Sequence, residues 1–326
     1  MNANAAAGFS ESLNLELAAL NREFEVLTLN FELRRADFLT CAGRASMNSE
    51  LKMADLVQTA EAFAKPARRS PEDFKFVRLQ ADGPVARFTL HRPEHNLLNE
   101  QMLRELAAAI GMVAEHGAAK LILLDAAGKV FSAGVDIGEY TGERAFSMLD
   151  AFHAACIAMV EAPQPVLVIV DGAAIGGGAE LVAYGDLVVA TPRARFALPE
   201  ITIGMFPPLA STMFPHIIGP KRALELVLTG EAISAEKARD LGLVNRLVPE
   251  AQLQSAVNEL IGKITAQSGA VLGVAKKAIV GGMGMSLRDS LRNSMNIFLN
   301  EQYRLEDSQE GLRALLEKRK PQWKNR

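Results

Sequence analysis

The chain has 326 residues, 49% of them hydrophobic and 22% charged, with a formal net charge of −3. These values describe an ordinary globular protein, long enough for one large core or a core with an appendage, and they give no electrostatic footing for a nucleic-acid partner. Two cysteines, Cys41 and Cys156, lie in no metal-binding spacing, and the five histidines are scattered, so a metal-free protein in a reducing, cytoplasmic setting is expected.

The N-terminus lacks the basic and apolar regions of a secretory signal. No apolar run is long enough to span a bilayer, and no membrane partner is expected. Residues 11–64 contain no proline and a single glycine, Gly43. Leu13, Leu17, Leu20, Phe24, Leu27 and Phe31 recur at three- and four-residue steps, which predicts an amphipathic helix, and a second helix is expected over 49–64. The stretch from Lys65 to Pro71, rich in Pro, Arg and Ser, reads as a linker, so residues 1–70 are expected to form a helical extension.

Beyond it the pattern is α/β. Strands are expected over 74–80 and 85–90, joined by a turn at Ala81-Asp82-Gly83-Pro84. A helix over 100–116, a strand over 121–125, a helix over 143–161, strands over 166–170 and 187–190 and a helix over 221–228 follow. Such alternation predicts a mostly parallel, helix-covered sheet in a core of residues 71–260, and helical pattern dominates to the end, giving a helical region over 261–326.

The chemistry gathers after the strand at 166–170, in Asp171-Gly-Ala-Ala-Ile-Gly176-Gly177-Gly178-Ala-Glu180. A strand, a glycine turn and a helix aim bare backbone N–H groups at whatever lies over the turn. Neither phosphate-loop nor dinucleotide glycine spacing is present. A second small-residue turn, Phe131-Ser-Ala133-Gly134-Val135-Asp136, could supply another donor, and a site that stabilises an oxyanion commonly takes its two N–H groups from different segments. Glu180 lies one helical turn past Gly177, where the helix N-terminus would stabilise a carboxylate, and Glu200 follows Pro199. Two carboxylates beside two such turns point to acid/base chemistry next to a developing oxyanion.

These segments, with Phe196-Ala-Leu-Pro-Glu200, Gly219 to Gly230, Ala238 to Asn245 and Glu310 to Pro321, resemble the signature stretches of the enoyl-CoA hydratase/isomerase (crotonase) superfamily over residues 72–323. The resemblance implies a crotonase-like spiral of ββα units with a C-terminal helical trimerisation region, and a homotrimer or dimer of trimers. It implies oxyanion donors at the N–H groups of Val135 and Gly177, and hydratase glutamates at Glu180, which would hold and deprotonate water, and Glu200, which would orient it and exchange the proton at Cα. The substrate implied is an acyl-CoA thioester, with coenzyme A as part of the substrate and no separate cofactor. Substrate contacts are expected from Ala133, Gly134, Asp136, Ile137, Gly176, Phe206 and Pro207. Lys129 could meet CoA phosphates, whereas Lys276 and Lys277 read as exposed helix charges.

Two departures bear on the acyl group. The segment after Glu200 reads Gly204-Met-Phe206-Pro207-Pro208, stiffened by two prolines, where the family often carries glycines. The stretch Arg92-Pro93-Glu-His-Asn96-Leu-Leu-Asn99 is one residue shorter than the common form. Both are similar to the branch that hydrates cyclic dienoyl-CoA thioesters by 1,4-addition. The expected activity is thus hydration of an α,β-unsaturated acyl-CoA, with a cyclic dienoyl-CoA hydratase, an isomerase or thioesterase, and a non-catalytic acyl-CoA-binding protein as alternatives.

Overall fold

The computed structural model describes residues 74–116, 118–142 and 144–326. The helical extension expected over 1–70 lies outside them.

The first two strands, β1 (Val77–Asp82) and β2 (Val85–Leu90), form an antiparallel hairpin turned at Gly83 and Pro84. β1 begins later than expected because the N–H groups of Lys75, Phe76 and Val77 all donate to the buried carboxylate of Glu105. Glu105 stands on α1 (Glu100–His116), whose limits match the expected helix. Strand β3 (Leu121–Ala126), helix α2 (Arg144–Glu161) and strand β4 (Val166–Val170) follow. β2, β3 and β4 pair in parallel, and β4 pairs in parallel with β6 (Leu187–Ala190). A short β9 (Arg246–Leu247) closes the six-stranded sheet in the order β1-β2-β3-β4-β6-β9.

A second, three-stranded sheet was not foreseen. It pairs β5 (Ala173–Ile175) in parallel with β7 (Arg195–Ala197), and β7 antiparallel with β8 (Ile233–Ser234). Strands of two or three residues are too short to show a period. This small sheet nevertheless sets the site, because β5 delivers the glycine turn and β7 delivers Pro199-Glu200.

The central strands β3, β4 and β6 are buried on both faces, as their near-continuous apolar runs demand, whereas the edge strand β1 is largely exposed. Ile122, Leu124, Val166, Val168 and Val170 point into the larger core with α1 and α2. Their alternates Leu121, Leu123, Leu167 and Ile169 point into a second core with Val257 and Leu260. The helices after β4 are α3 (Gly177–Ala183), α4 (Pro208–Ile218), α5 (Pro220–Thr229), α6 (Ala235–Leu241) and α7 (Leu253–Thr265), the last running across residue 260. The chain ends in α8 (Gly269–Val280), α9 (Leu287–Asn300) and α10 (Glu306–Leu316).

Lys276, expected as an exposed charge, is instead buried. Its Nζ lies 2.8 Å from Asp186 Oδ2 and donates to the carbonyls of Met159 and Gln164, tying α8 to the end of α2 and the start of β6. The apolar neighbourhood of α8 carries no sequence mark that separates this lysine from Lys277, which pairs on the surface with Glu301.

Candidate active site

Both small-residue turns meet beside β5. The N–H of Ile175 donates to Ser132 O at 2.9 Å, and the N–H groups of Phe131 and Ser132 donate to Ala173 O, so the 131–136 loop runs beside β5. A Cβ placed on Gly177 would lie 2.8 Å from Val135 Cγ1, and one on Gly134 would lie 3.9 Å from Gly177 N. Val135, Gly134 and Gly177 are thus neighbours. Among the described residues the N–H groups of Val135 and Gly177 have no protein acceptor.

Gly176 is required by its conformation and by its neighbour. Its backbone has φ 52° and ψ −123°, which a side chain resists, and a Cβ there would fall 2.6 Å from Glu200 Oε1. Glu200 is the second residue of the 3₁₀ turn Pro199–Ile203, and its carboxyl leans on the bare Gly176 Cα. The other oxygen, Oε2, is buried without a hydrogen-bond partner. Burial, and then the charge of Glu180, push Glu200 up to about 8.

Glu180 is 3% exposed. Its carboxylate does not rest on the start of its own helix. It reaches α4, where Oε1 accepts from Leu209 N at 2.9 Å and Ala210 N at 2.8 Å. Pro208 occupies the first position of α4, so these are the first free N–H groups of that helix. Even with both donors, burial pushes Glu180 up to about 7. The carboxylate stabilisation expected from sequence is therefore outweighed by desolvation. Since the two groups titrate as a pair near neutrality, the site can hold one base and one acid at once.

The remaining expected residues divide. Ala133 donates its N–H to His95 O, and Ile137 begins the 3₁₀ turn Ile137–Glu139. Pro207 is buried, while Phe206 beside it is 62% exposed. The Asp136 carboxylate is occupied by Arg92 and by Gly138 N rather than turned to an open space. Lys129 is exposed.

Sequence reasoning missed two tyrosines. Tyr140 closes the 3₁₀ turn after Val135, and burial together with both glutamate charges raises its phenol. Tyr184 donates its O–H to Leu209 O at 3.2 Å. That carbonyl belongs to the peptide whose N–H, at Ala210, donates to Glu180. The proline pair at 207–208 was a readable helix-start signal, and an anion site on that helix could have been expected from it.

Comparison with known proteins identifies the family. The enoyl-CoA hydratase/isomerase profile matches residues 80–326. Cyclohexa-1,5-dienecarbonyl-CoA hydratase of Thauera aromatica is 33% identical over 252 residues, covering 77% of this chain and 96% of that one. A probable enoyl-CoA hydratase of Bacillus subtilis is 34% identical over 254 residues, 76% of this chain and 98% of the other. The solved enoyl-CoA hydratase of Mycobacterium smegmatis superposes with a TM-score of 0.73 at 32% identity, covering 76% of this chain and 99% of that one. With the profile matching well over half of the chain, residues 80–326, the chain belongs to the enoyl-CoA hydratase/isomerase family.

Proposed function

We propose that the protein hydrates an α,β-unsaturated acyl-CoA thioester. The observation that carries this reading is the unlike pair of buried carboxyls: Glu180 tied to two amides, Glu200 with one oxygen unpartnered beside Gly176, and two free N–H groups close by. Glu180, ionising first, takes a proton from water as the water oxygen bonds to Cβ of the substrate. Electron density moves through Cα to the thioester oxygen, which the N–H groups of Val135 and Gly177 stabilise. Such donors contribute roughly 3–4 kcal/mol each in comparable sites. Protonated Glu200 then delivers its proton to Cα, and the proton gained by Glu180 passes back to the pair before the next cycle. No cofactor enters this scheme, because coenzyme A arrives as part of the substrate.

The cyclic dienoyl-CoA variant of the reaction is favoured by two observations. The Thauera relative carries that name, and Phe206-Pro207-Pro208 puts an aromatic ring and a stiff corner beside the helix that holds Glu180. The same carboxyls would serve a 1,4-addition with the ring placed differently. Steady-state assays with crotonyl-CoA and with cyclohexa-1,5-dienecarbonyl-CoA separate the readings. Faster turnover of the cyclic thioester supports the variant. Tight binding of both with turnover of neither would contradict hydration and favour an acyl-CoA-binding protein.

The proposal extends to assembly as a homotrimer or dimer of trimers. Helix α9 supports it, since Leu287, Leu291, Met295 and Leu299 recur every four residues and all are more than half exposed.

A further inference from the structure

The peptide that carries the Val135 N–H is held by a clamp from the 92–98 stretch. Leu98 pairs with Val135 as an isolated parallel bridge. The Leu98 N–H donates to Gly134 O at 2.8 Å, and Leu98 O accepts from Asp136 N at 2.7 Å. In an extended segment successive N–H groups alternate sides. With its two neighbours committed to Leu98, the Val135 N–H faces the other way.

A single guanidinium grips both strands of this bridge. Arg92 Nη1 donates to Leu97 O at 2.9 Å, and Arg92 Nη2 donates to Asp136 Oδ2 at 2.7 Å. The second Asp136 oxygen accepts from Gly138 N, which fixes the turn that follows. Arg92 is itself anchored, its N–H donating to Asn96 Oδ1 and its guanidinium lying 5.7 Å from the centre of the Phe76 ring. Asn96, 1% exposed, donates in turn to Ala127 O and Val130 O, and Ser132 Oγ donates to Asn96 O while accepting from Gly134 N. The 131–136 loop is thus held from behind by Asn96 and Ser132, and from the side by Arg92.

We propose that Arg92 is a positioning residue of the oxyanion site: by bridging Leu97 O and Asp136 it sets the direction of the Val135 N–H. It touches no substrate and acts through the peptide. Two prongs in a fixed fork are needed, which arginine supplies and lysine does not. The proposal rests on the Val135 and Gly177 amides meeting a thioester oxygen.

The test measures carbonyl polarisation directly, with 4-dimethylaminocinnamoyl-CoA as probe. Its absorption moves to longer wavelength when the thioester oxygen is drawn to hydrogen-bond donors. The wild-type protein is expected to shift it red. In Arg92→Met the red shift falls by more than half and kcat falls about 10-fold to 100-fold, because one donor is misaimed rather than removed, while KM changes less than about threefold. Arg92→Lys, keeping one prong, recovers part of both. A folded Arg92→Met variant with a full red shift and kcat within twofold of wild type would overturn the proposal. Should Arg92→Met fail to fold, Arg92→Lys and Asp136→Asn are held to the same criteria. A wild-type protein that binds the probe with no red shift overturns the oxyanion reading itself, which is a different failure from an unshifted difference between variants.

Discussion

Glu180 is defined less by its own helix than by a peptide 29 and 30 residues downstream. Tyr184 donates to the carbonyl of that peptide, and the chain Tyr184–peptide–Glu180 polarises along its length. Tyr184→Phe should weaken the Ala210 donor and raise the Glu180 pKa further. The acidic limb of kcat/KM against pH is then expected to move up by a few tenths of a pH unit. An unmoved limb would show that the tyrosine only packs. In the unaltered protein kcat/KM should be bell-shaped, rising through about 7 as Glu180 ionises and falling through about 8 as Glu200 loses its proton. Gly176→Ala should cost at least about 10-fold in kcat, through backbone strain and through displacement of the Glu200 carboxyl. A variant with unchanged kcat would mean that Glu200 tolerates movement. The two glycine turns and the two glutamates stood out in sequence, while the assignment of donors to Val135 and Gly177 came from the family resemblance. The partners were not legible: Leu209 and Ala210 act through backbone N–H groups, which leave no residue signature, and Arg92 acts 44 residues from Asp136.

At the scale of elements, long apolar strands and periodic helices declared themselves. The limits of α1, β2, β4 and β6 coincide with those expected, because each is a run of uniform pattern bounded by turn residues. The small sheet escaped notice because β5 and β7 are only three residues each. Its consequence is large, since pairing β5 with β7 brings Gly176 to Glu200, and the N–H of Gly176 donates to Ala197 O at 2.8 Å. The exposed stripe on α9 belongs to this scale too. Sedimentation or light scattering should give three or six times the mass of one chain. Leu291→Asp should lower it, because a charge placed in an apolar contact is costly. A wild-type monomer at micromolar concentration would contradict the proposed assembly.

Over the whole molecule, the site is held at a cost in stability. Glu180 and Glu200 both bind protons more tightly in the folded state than in the unfolded chain, whose carboxyls titrate near 4.5. Their contribution is therefore full below that value and declines as pH rises through about 7 and about 8. Glu200→Gln removes one buried charge and should stabilise the fold at pH 8 by an amount on the order of 2–4 kcal/mol, with little effect at pH 5. Thermal melts at the two pH values check this, and equal melting shifts at both would show that Glu200 is not the source. The charge balance of the chain spoke only against nucleic acid, and among the described residues no helix is long and apolar enough to cross a membrane. The proposed site is local, a few groups gathered from the 131–136 loop, the ends of β5 and β7, α3 and α4.

The central claim is that two carboxyls divide the work of adding water while backbone amides hold the thioester. Turnover and thioester affinity of Glu180→Gln and Glu200→Gln, measured on the same preparations with a saturated acyl-CoA as the binding ligand, test it most directly. Each variant is expected to lose about 1,000-fold or more in kcat, with the affinity for the saturated thioester within about threefold of wild type. Near-normal turnover by either variant would contradict the account.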